Sequence, residues 1–211
     1  MSAARPAPPA APGWQTGGYC RALPGYVQCG DAFLIETDAD GTLRLALVDG
    51  LGHGTEAAIA AMEAVRVVRE GRATPVGELM QRCNAALHAT RGAAIGMLTL
   101  APDGKGEFCG IGNVEVQSLA GDPPGLFCLA GIVGHNMRTL RVMPFTMRPG
   151  DIYCLHSDGV SSRANLRACL PGLPVDVARR IVDEWGRSHD DASAVILGYD
   201  AGSRLQAAPP A

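Results

Sequence analysis

Short apolar runs broken by glycine, proline and aspartate dominate the chain from Tyr19 onward, and only three segments carry helical spacing. Residues 32–37 and 42–48 read as two strands, and the Asp38-Ala39-Asp40-Gly41 connection between them ends in the Asp-Gly pair typical of a hairpin. Residues 55–70 follow with Ala58, Ile59, Met62, Val65 and Val68 at mainly three-residue steps and Gly71 as a stop, which predicts an amphipathic helix with those side chains on its buried face. A second helix is expected beside it, with Thr74 as its cap, Pro75 in its first turn and Val76, Leu79, Met80, Cys83 and Leu87 on one stripe. Strands are expected at about 94–100, 106–111, 114–119, 138–143 and 151–156, with an Asp103-Gly104 turn making the first two antiparallel. A third helix, about 175–185, precedes a last strand at 192–199. Hairpin-linked strands with helices grouped in pairs predict an α+β fold in which sheet packs on sheet between helices, and they argue against a doubly wound parallel sheet.

Composition narrows the organisation. A chain of 211 residues, 47% hydrophobic, fills one core and is short for two, so residues 16–200 are expected to form a single domain. Residues 1–15, rich in proline and alanine with no apolar stretch of signal-peptide type, and residues 201–211 are expected to be disordered tails. The balance of 18 basic against 21 acidic residues, with no basic block, argues against nucleic-acid or membrane-surface partners. Seven cysteines scattered without a C-x-x-C pair read as small hydrophobes of a reducing cytosol, giving a cytoplasmic assignment and excluding a disulfide frame or a thiolate zinc site.

The stretch "LVDGLGHGTE" (47–56) is the first with chemistry to explain. A dinucleotide cradle needs G-x-G-x-x-G, yet here the third glycine comes one residue early, and Asp49 directly before the first glycine repels a pyrophosphate. No Gly-Lys-Ser/Thr follows, which removes the P-loop. The remaining reading makes Asp49 a hard oxygen donor at the end of a buried strand, with glycines letting the backbone approach a hydrated divalent ion. That reading requires further carboxylates. Asp31 in "CGDAF", Asp158 in "YCLHSDGV" and the Asp190-Asp191 pair in "SHDDASAVIL" share the same setting, a strand end among small residues. Singly each is a turn-former; together they form a candidate metal set.

These four motifs, G-D-A-F, D-G-L-G-H-G, S-D-G-V and D-D-A-S, resemble in order those of the metal-dependent type-2C protein serine/threonine phosphatases. The D-G-x-G-H-G spelling and the D-D-A-S ending resemble the bacterial SpoIIE-like branch, and "GIGNVEV" (110–116) with "AGIVGHN" (130–136) is similar to its RsbX-like stress-signalling members. The resemblance implies a four-layer α-β-β-α sandwich of two mainly antiparallel sheets and a centre of two ions, Mn²⁺ or Mg²⁺. It implies that Asp49 bridges both ions, that Gly50 offers its carbonyl to the second, that Asp158 and Asp190 complete the first, and that Asp31 serves the second or its waters. Asp49, Asp158 and Asp190 are the expected catalytic set. Eukaryotic relatives carry glutamate before the aspartate matching Asp31, where this chain has Gly30; a sparser second site follows, which a glutamate at 30 would tighten.

All-oxygen ligation suits Mg²⁺ or Mn²⁺, and no H-E-x-x-H or Cys/His cluster suggests zinc. Two such ions can activate water against a phosphate monoester without a covalent nucleophile. His53, Asp191 and Arg21 are candidates for supporting the ligands or touching phosphate, and His156 and His189 flank Asp158 and Asp190. Ser157 and Ser193 read as strand-end hydrogen-bonders, since neither lies in a G-x-S-x-G elbow. The expected function is dephosphorylation of phosphoserine or phosphothreonine on a STAS-domain regulator or stressosome component by a monomeric enzyme. The alternatives are a pseudophosphatase that only binds its partner and a hydrolase of small phosphate esters.

Overall fold

The computed structural model of the chain describes residues 13–200 and 202–205. The remainder of the expected tails lies outside them. Nine strands and three α-helices follow one another as β1 (Trp14–Arg21), β2 (Asp31–Thr37), β3 (Leu43–Gly50), α1 (Thr55–Glu70), α2 (Val76–Ala86), β4 (Ala93–Leu100), β5 (Lys105–Ile111), β6 (Glu115–Ala120), β7 (Val142–Thr146), β8 (Ile152–His156), α3 (Pro174–Trp185) and β9 (Ala192–Tyr199). The strands form a four-stranded sheet in the order β1-β9-β8-β6 and a five-stranded sheet in the order β2-β3-β4-β5-β7, with every named pair antiparallel.

Side-chain parity builds the layers. Along β3, Leu43, Leu45 and Leu47 face the other sheet, while Ala46 and Val48 face α1 and α2. On β9, Val195 and Leu197 enter the inter-sheet core and Ala194 and Ile196 pack under α3. Strands buried on both faces read as continuous apolar runs, and two sheets each covered by helices give the expected α-β-β-α sandwich. The Asp38–Gly41 and Asp103–Gly104 hairpins form as expected, with Gly41 and Gly104 at φ 84° and 83°, where a side chain is strained.

Packing departs from the sequence pattern in four places. α1 buries Ala57, Ala60, Ala61 and Ala64 with Val65, Val67 and Val68, and leaves Ile59 and Met62 exposed at 50% and 58%. The first turns of the helix lie close against β2 and β3 and bury alanines there: the methyl of Ala57 sits against Gly30, and its carbonyl against Gly50. α2 starts at Val76 with Pro75 as N-cap and no side-chain cap, so Thr74 does not cap it. The strand expected at 138–143 is β7, displaced to Val142–Thr146. Finally, β1 begins at Trp14, whose indole N–H donates to Gly41 O at 3.2 Å, and Leu205 is buried in a short 3₁₀ turn at Gly202–Leu205, so order reaches past both edges of the expected 16–200 domain. All seven cysteines are free. No helix among the described residues is long and apolar enough to cross a membrane.

Candidate metal centre

The inward-facing parity of the leucines continues into the chemistry. Counting along β3 from Leu43, Leu45 and Leu47, the next residue on the inter-sheet face is Asp49; along β2, Asp31 stands on the same face as Phe33 and Ile35. Asp31 and Asp49 are direct cross-strand partners. From the opposite sheet, Ser157 follows Tyr153 and Leu155, and Ser193 precedes Val195 on the same inward faces. Both hydroxyls donate to one oxygen of Asp31, Ser157 Oγ at 2.7 Å and Ser193 Oγ at 2.6 Å, and Ser157 Oγ accepts from Ser193 N at 3.1 Å. The apolar core thus ends in a polar clasp that ties the two sheets together through Asp31.

Asp158 and Asp190 arrive from the loops after β8 and before β9 and close on Asp49. Burial, first, and then the charges of Asp31, Asp158 and Asp190 push the Asp49 carboxyl up to about 9, and a hydrogen bond with Asp158 adds to the shift. Burial and the neighbouring Asp191 and Asp190 raise Asp31 to about 7, against the opposing effect of the two serine hydroxyls. Asp190 is raised by desolvation and by Asp158. Among the described residues no three carboxylate, imidazole or thiol groups already close around one point. A crowd of mutually repelling carboxyls, all with oxygen donors, is the setting a hard divalent cation relieves, and in that chemical sense the residues fit one.

The glycines of the site make room for its carboxylates. A Cβ on Gly50 would run into the Ala57 carbonyl, and one on Gly159 into the backbone of Asp191. At Gly30 a Cβ would stand 2.7 Å from Asp191 Oδ2 and 2.9 Å from the Ala57 methyl. A glutamate at 30 therefore enters a crowded position, since its first carbon has to displace the Asp191 carboxylate or the Ala57 methyl.

The supporting candidates separate. Asp191 is buried and accepts from Leu23 N at 2.8 Å, fastening the loop after β1, while its Oδ2 has no partner. Arg21 does not reach for phosphate: its terminal nitrogens donate to Val182 O at 3.0 Å and Arg187 O at 2.8 Å at the end of α3, where a cation also meets the negative end of the helix dipole. His53 is exposed and packs against Tyr26 in a tilted arrangement, with ring centroids 4.7 Å apart and ring planes at 60°. His156 faces away from the inter-sheet core, against Gln117, and burial lowers its pKa. His189 is exposed beside Asp190.

One residue escaped the sequence reading. Asn113 Nδ2 donates to Asp158 Oδ2 at 2.6 Å and so orients that carboxylate. It follows Gly112, whose φ of 100° turns the chain between β5 and β6; the G-N pair inside "GIGNVEV" was the available signal.

Comparison with known proteins shows the family and the fold. The phosphoserine phosphatase RsbX of Bacillus subtilis (strain 168) is 26% identical over 174 residues, 81% of this chain and 86% of the relative. A chain from the bacterial stressosome, a modular system adapted to control secondary messenger signalling, is 30% identical and superposes with a TM-score of 0.79 over 87% of this chain and 98% of its own. Magnesium-bound RsbX superposes with a TM-score of 0.75 at 22% identity, covering 88% of this chain and 95% of its own, which shows a shared fold. Residues 39–200 match the family of stage II sporulation protein E, a span that includes Asp49, Asp158 and Asp190, and the chain belongs to this SpoIIE family of type-2C phosphatase domains.

Proposed function

We propose that this chain is a metal-dependent protein phosphatase that removes phosphate from phosphoserine or phosphothreonine on a folded STAS-domain regulator of a partner-switching or stressosome pathway. The observation that carries the reading is the convergence on Asp49 of Asp31, Asp158 and Asp190 at the open end of the inter-sheet core. Asp31, Asp49, the Gly50 carbonyl, Asp158 and Asp190 would hold two Mn²⁺ or Mg²⁺ ions, with Asp49, Asp158 and Asp190 as the catalytic ligands. Bound there, divalent ions supply a deprotonated water at neutral pH and neutralise charge on phosphoryl oxygens. The chain's own part is to hold the ligands: Ser157 and Ser193 fix Asp31, Asn113 fixes Asp158, and Gly30, Gly50 and Gly159 admit the close backbone approach.

A protein substrate is supported by what surrounds the cluster. Leu51 on the turn after Asp49, and Tyr26 and Val27 lining a cavity beside that turn, are exposed large hydrophobics suited to a protein surface, and α1 exposes Ile59 and Met62 as well. The names of the relatives, a phosphoserine phosphatase and a stressosome chain, point to the same class of partner. The test is phosphate release from a phosphorylated STAS-domain protein, a phosphopeptide carrying its site and p-nitrophenyl phosphate, with Mn²⁺ or with chelator. Metal-dependent release, faster from the folded partner than from the peptide, is expected, and Asp49→Asn and Asp158→Asn should each lower it by several orders of magnitude. Binding without release would make the chain a pseudophosphatase, and release from p-nitrophenyl phosphate alone a small-ester hydrolase.

A further inference from the structure

Beside the D-G-L-G-H-G turn lies a cavity of about 520 Å³ lined by Gly25–Gln28 on one side, His53–Glu56 on another, and Arg91. Arg91 is exposed, and among the described residues its guanidinium forms neither an ion pair nor a hydrogen bond. Five other arginines, Arg44, Arg66, Arg69, Arg82 and Arg148, pair with carboxylates, and of all the arginines only Arg91 lines this cavity among the described residues. The position is built. Gly52 stands at φ 90°, a conformation that favours glycine, and a Cβ built there would come within 2.9 Å of Arg91 Nη1, so the guanidinium lies against the turn that carries Asp49. The base of the arginine is pinned as well. Leu51 N donates to Gly92 O at 3.0 Å, Gly92 N to Thr90 Oγ1 at 3.0 Å, Thr90 Oγ1 to Leu87 O at 2.8 Å, and a ring nitrogen of His135 meets Thr90 O at 3.0 Å.

A cation without a counter-ion, held on a rigid loop against the turn of a carboxylate cluster, is a receptor for an anion that the cluster itself repels. We propose that Arg91 is the substrate-binding residue that grips the phosphoryl group of the incoming phosphoserine, with the cavity between Tyr26 and His53 receiving the residue that bears it. This role rests on the phosphatase reading above. Arg21, the arginine that the sequence put forward for phosphate, is spent on backbone carbonyls, which leaves the task open. Glu56 also lines the cavity, and its charge gives Arg91 a second duty, holding the phosphoryl group off that wall.

The experiment compares Arg91→Ala and Arg91→Lys with wild type in Mn²⁺, using p-nitrophenyl phosphate, a phosphoserine peptide and inorganic phosphate as inhibitor. Arg72→Ala, an exposed arginine on a different cavity beside Asp38 and Thr74, is the control. Arg91→Ala is expected to raise KM for both substrates and the Ki of phosphate by about tenfold or more, with Arg91→Lys recovering part of the loss. The Mn²⁺ concentration for half-maximal rate should stay put, and Arg72→Ala should match wild type. Unchanged KM and phosphate Ki in Arg91→Ala overturn the proposal, as does a change confined to the peptide, which would assign Arg91 to a flanking acidic residue instead. If wild type itself releases no phosphate, it is the phosphatase reading that fails, and the arginine is then judged by binding: inorganic phosphate should shift the side-chain Nε–H signal of Arg91 in NMR spectra of wild type, and the absence of a shift refutes it.

Discussion

Replacing Asp49 by asparagine separates what the carboxylate cluster contributes to chemistry from what it does to the fold. In the metal-free protein the Asp49 carboxyl is raised from 3.8 to about 9 by burial and by Asp31, Asp158 and Asp190. A carboxyl whose pKa is higher in the folded than in the unfolded state keeps a proton that the unfolded chain releases. Its stabilising contribution is complete below pH 3.8 and is lost as pH rises toward 9. At about 1.36 kcal/mol for each pH unit above the unfolded value, the loss reaches about 4 kcal/mol at pH 7. Asparagine has no proton to lose, so Asp49→Asn should be more stable than wild type at pH 7 in chelator by roughly 2 to 4 kcal/mol, a rise in Tm on the order of 10 °C for a chain of this size. Thermal unfolding from pH 5 to 8 with chelator should show wild type weakening with pH more steeply than the variant. Added Mn²⁺ should close the gap by stabilising wild type, while phosphatase activity of the variant stays near zero. An Asp49→Asn protein less stable than wild type in chelator at pH 7, or one with the same pH slope, would refute the reasoning.

Gly30→Glu should destabilise the fold by about 1 to 3 kcal/mol in urea titration without lowering the Mn²⁺ requirement, because its Cβ meets Asp191 and Ala57. Ser157→Ala and Ser193→Ala should each cost about 1.5 to 3 kcal/mol, and the double variant less than their sum, since both hydroxyls serve one oxygen of Asp31. Asn113→Ala should raise the Mn²⁺ concentration for half-maximal rate by about 10- to 100-fold with Tm little changed, as expected for a side chain that orients a ligand from an exposed position; unchanged metal dependence would remove Asn113 from the site.

How much of this was legible depended on how local the signal was. The two Asp-Gly hairpins, the stripe of α2 and the apolar runs of β3, β4 and β9 are written in residues a few positions apart, and they appear where periodicity and turn chemistry put them. The aspartates were found for the same reason, each beside glycine or alanine at a strand end. Arg44 carries no such signal: it sits in an apolar run, yet in the fold it is buried, donating to Val68 O at 2.7 Å and pairing with Glu36 and Asp38. Arg21 and Arg91 look alike in sequence, and only the end of α3 against one and the open cavity against the other distinguish them.

Parity within a strand, a property of period two, already determined that Asp49 points the same way as Leu43, Leu45 and Leu47. The sequence could not determine what that direction faces. Only the stacking of the two sheets brings Ser157 and Ser193 onto Asp31, across separations of 126 and 162 residues. Only the close seating of α1 turns Ile59 and Met62 outward and fills the space beside Gly30. Short-range pattern decides which elements form and which of their faces is apolar. The distances between elements are set by which side chains can share the space between them, and those distances decided how the carboxylates are held and that Arg91 was left free beside the cavity.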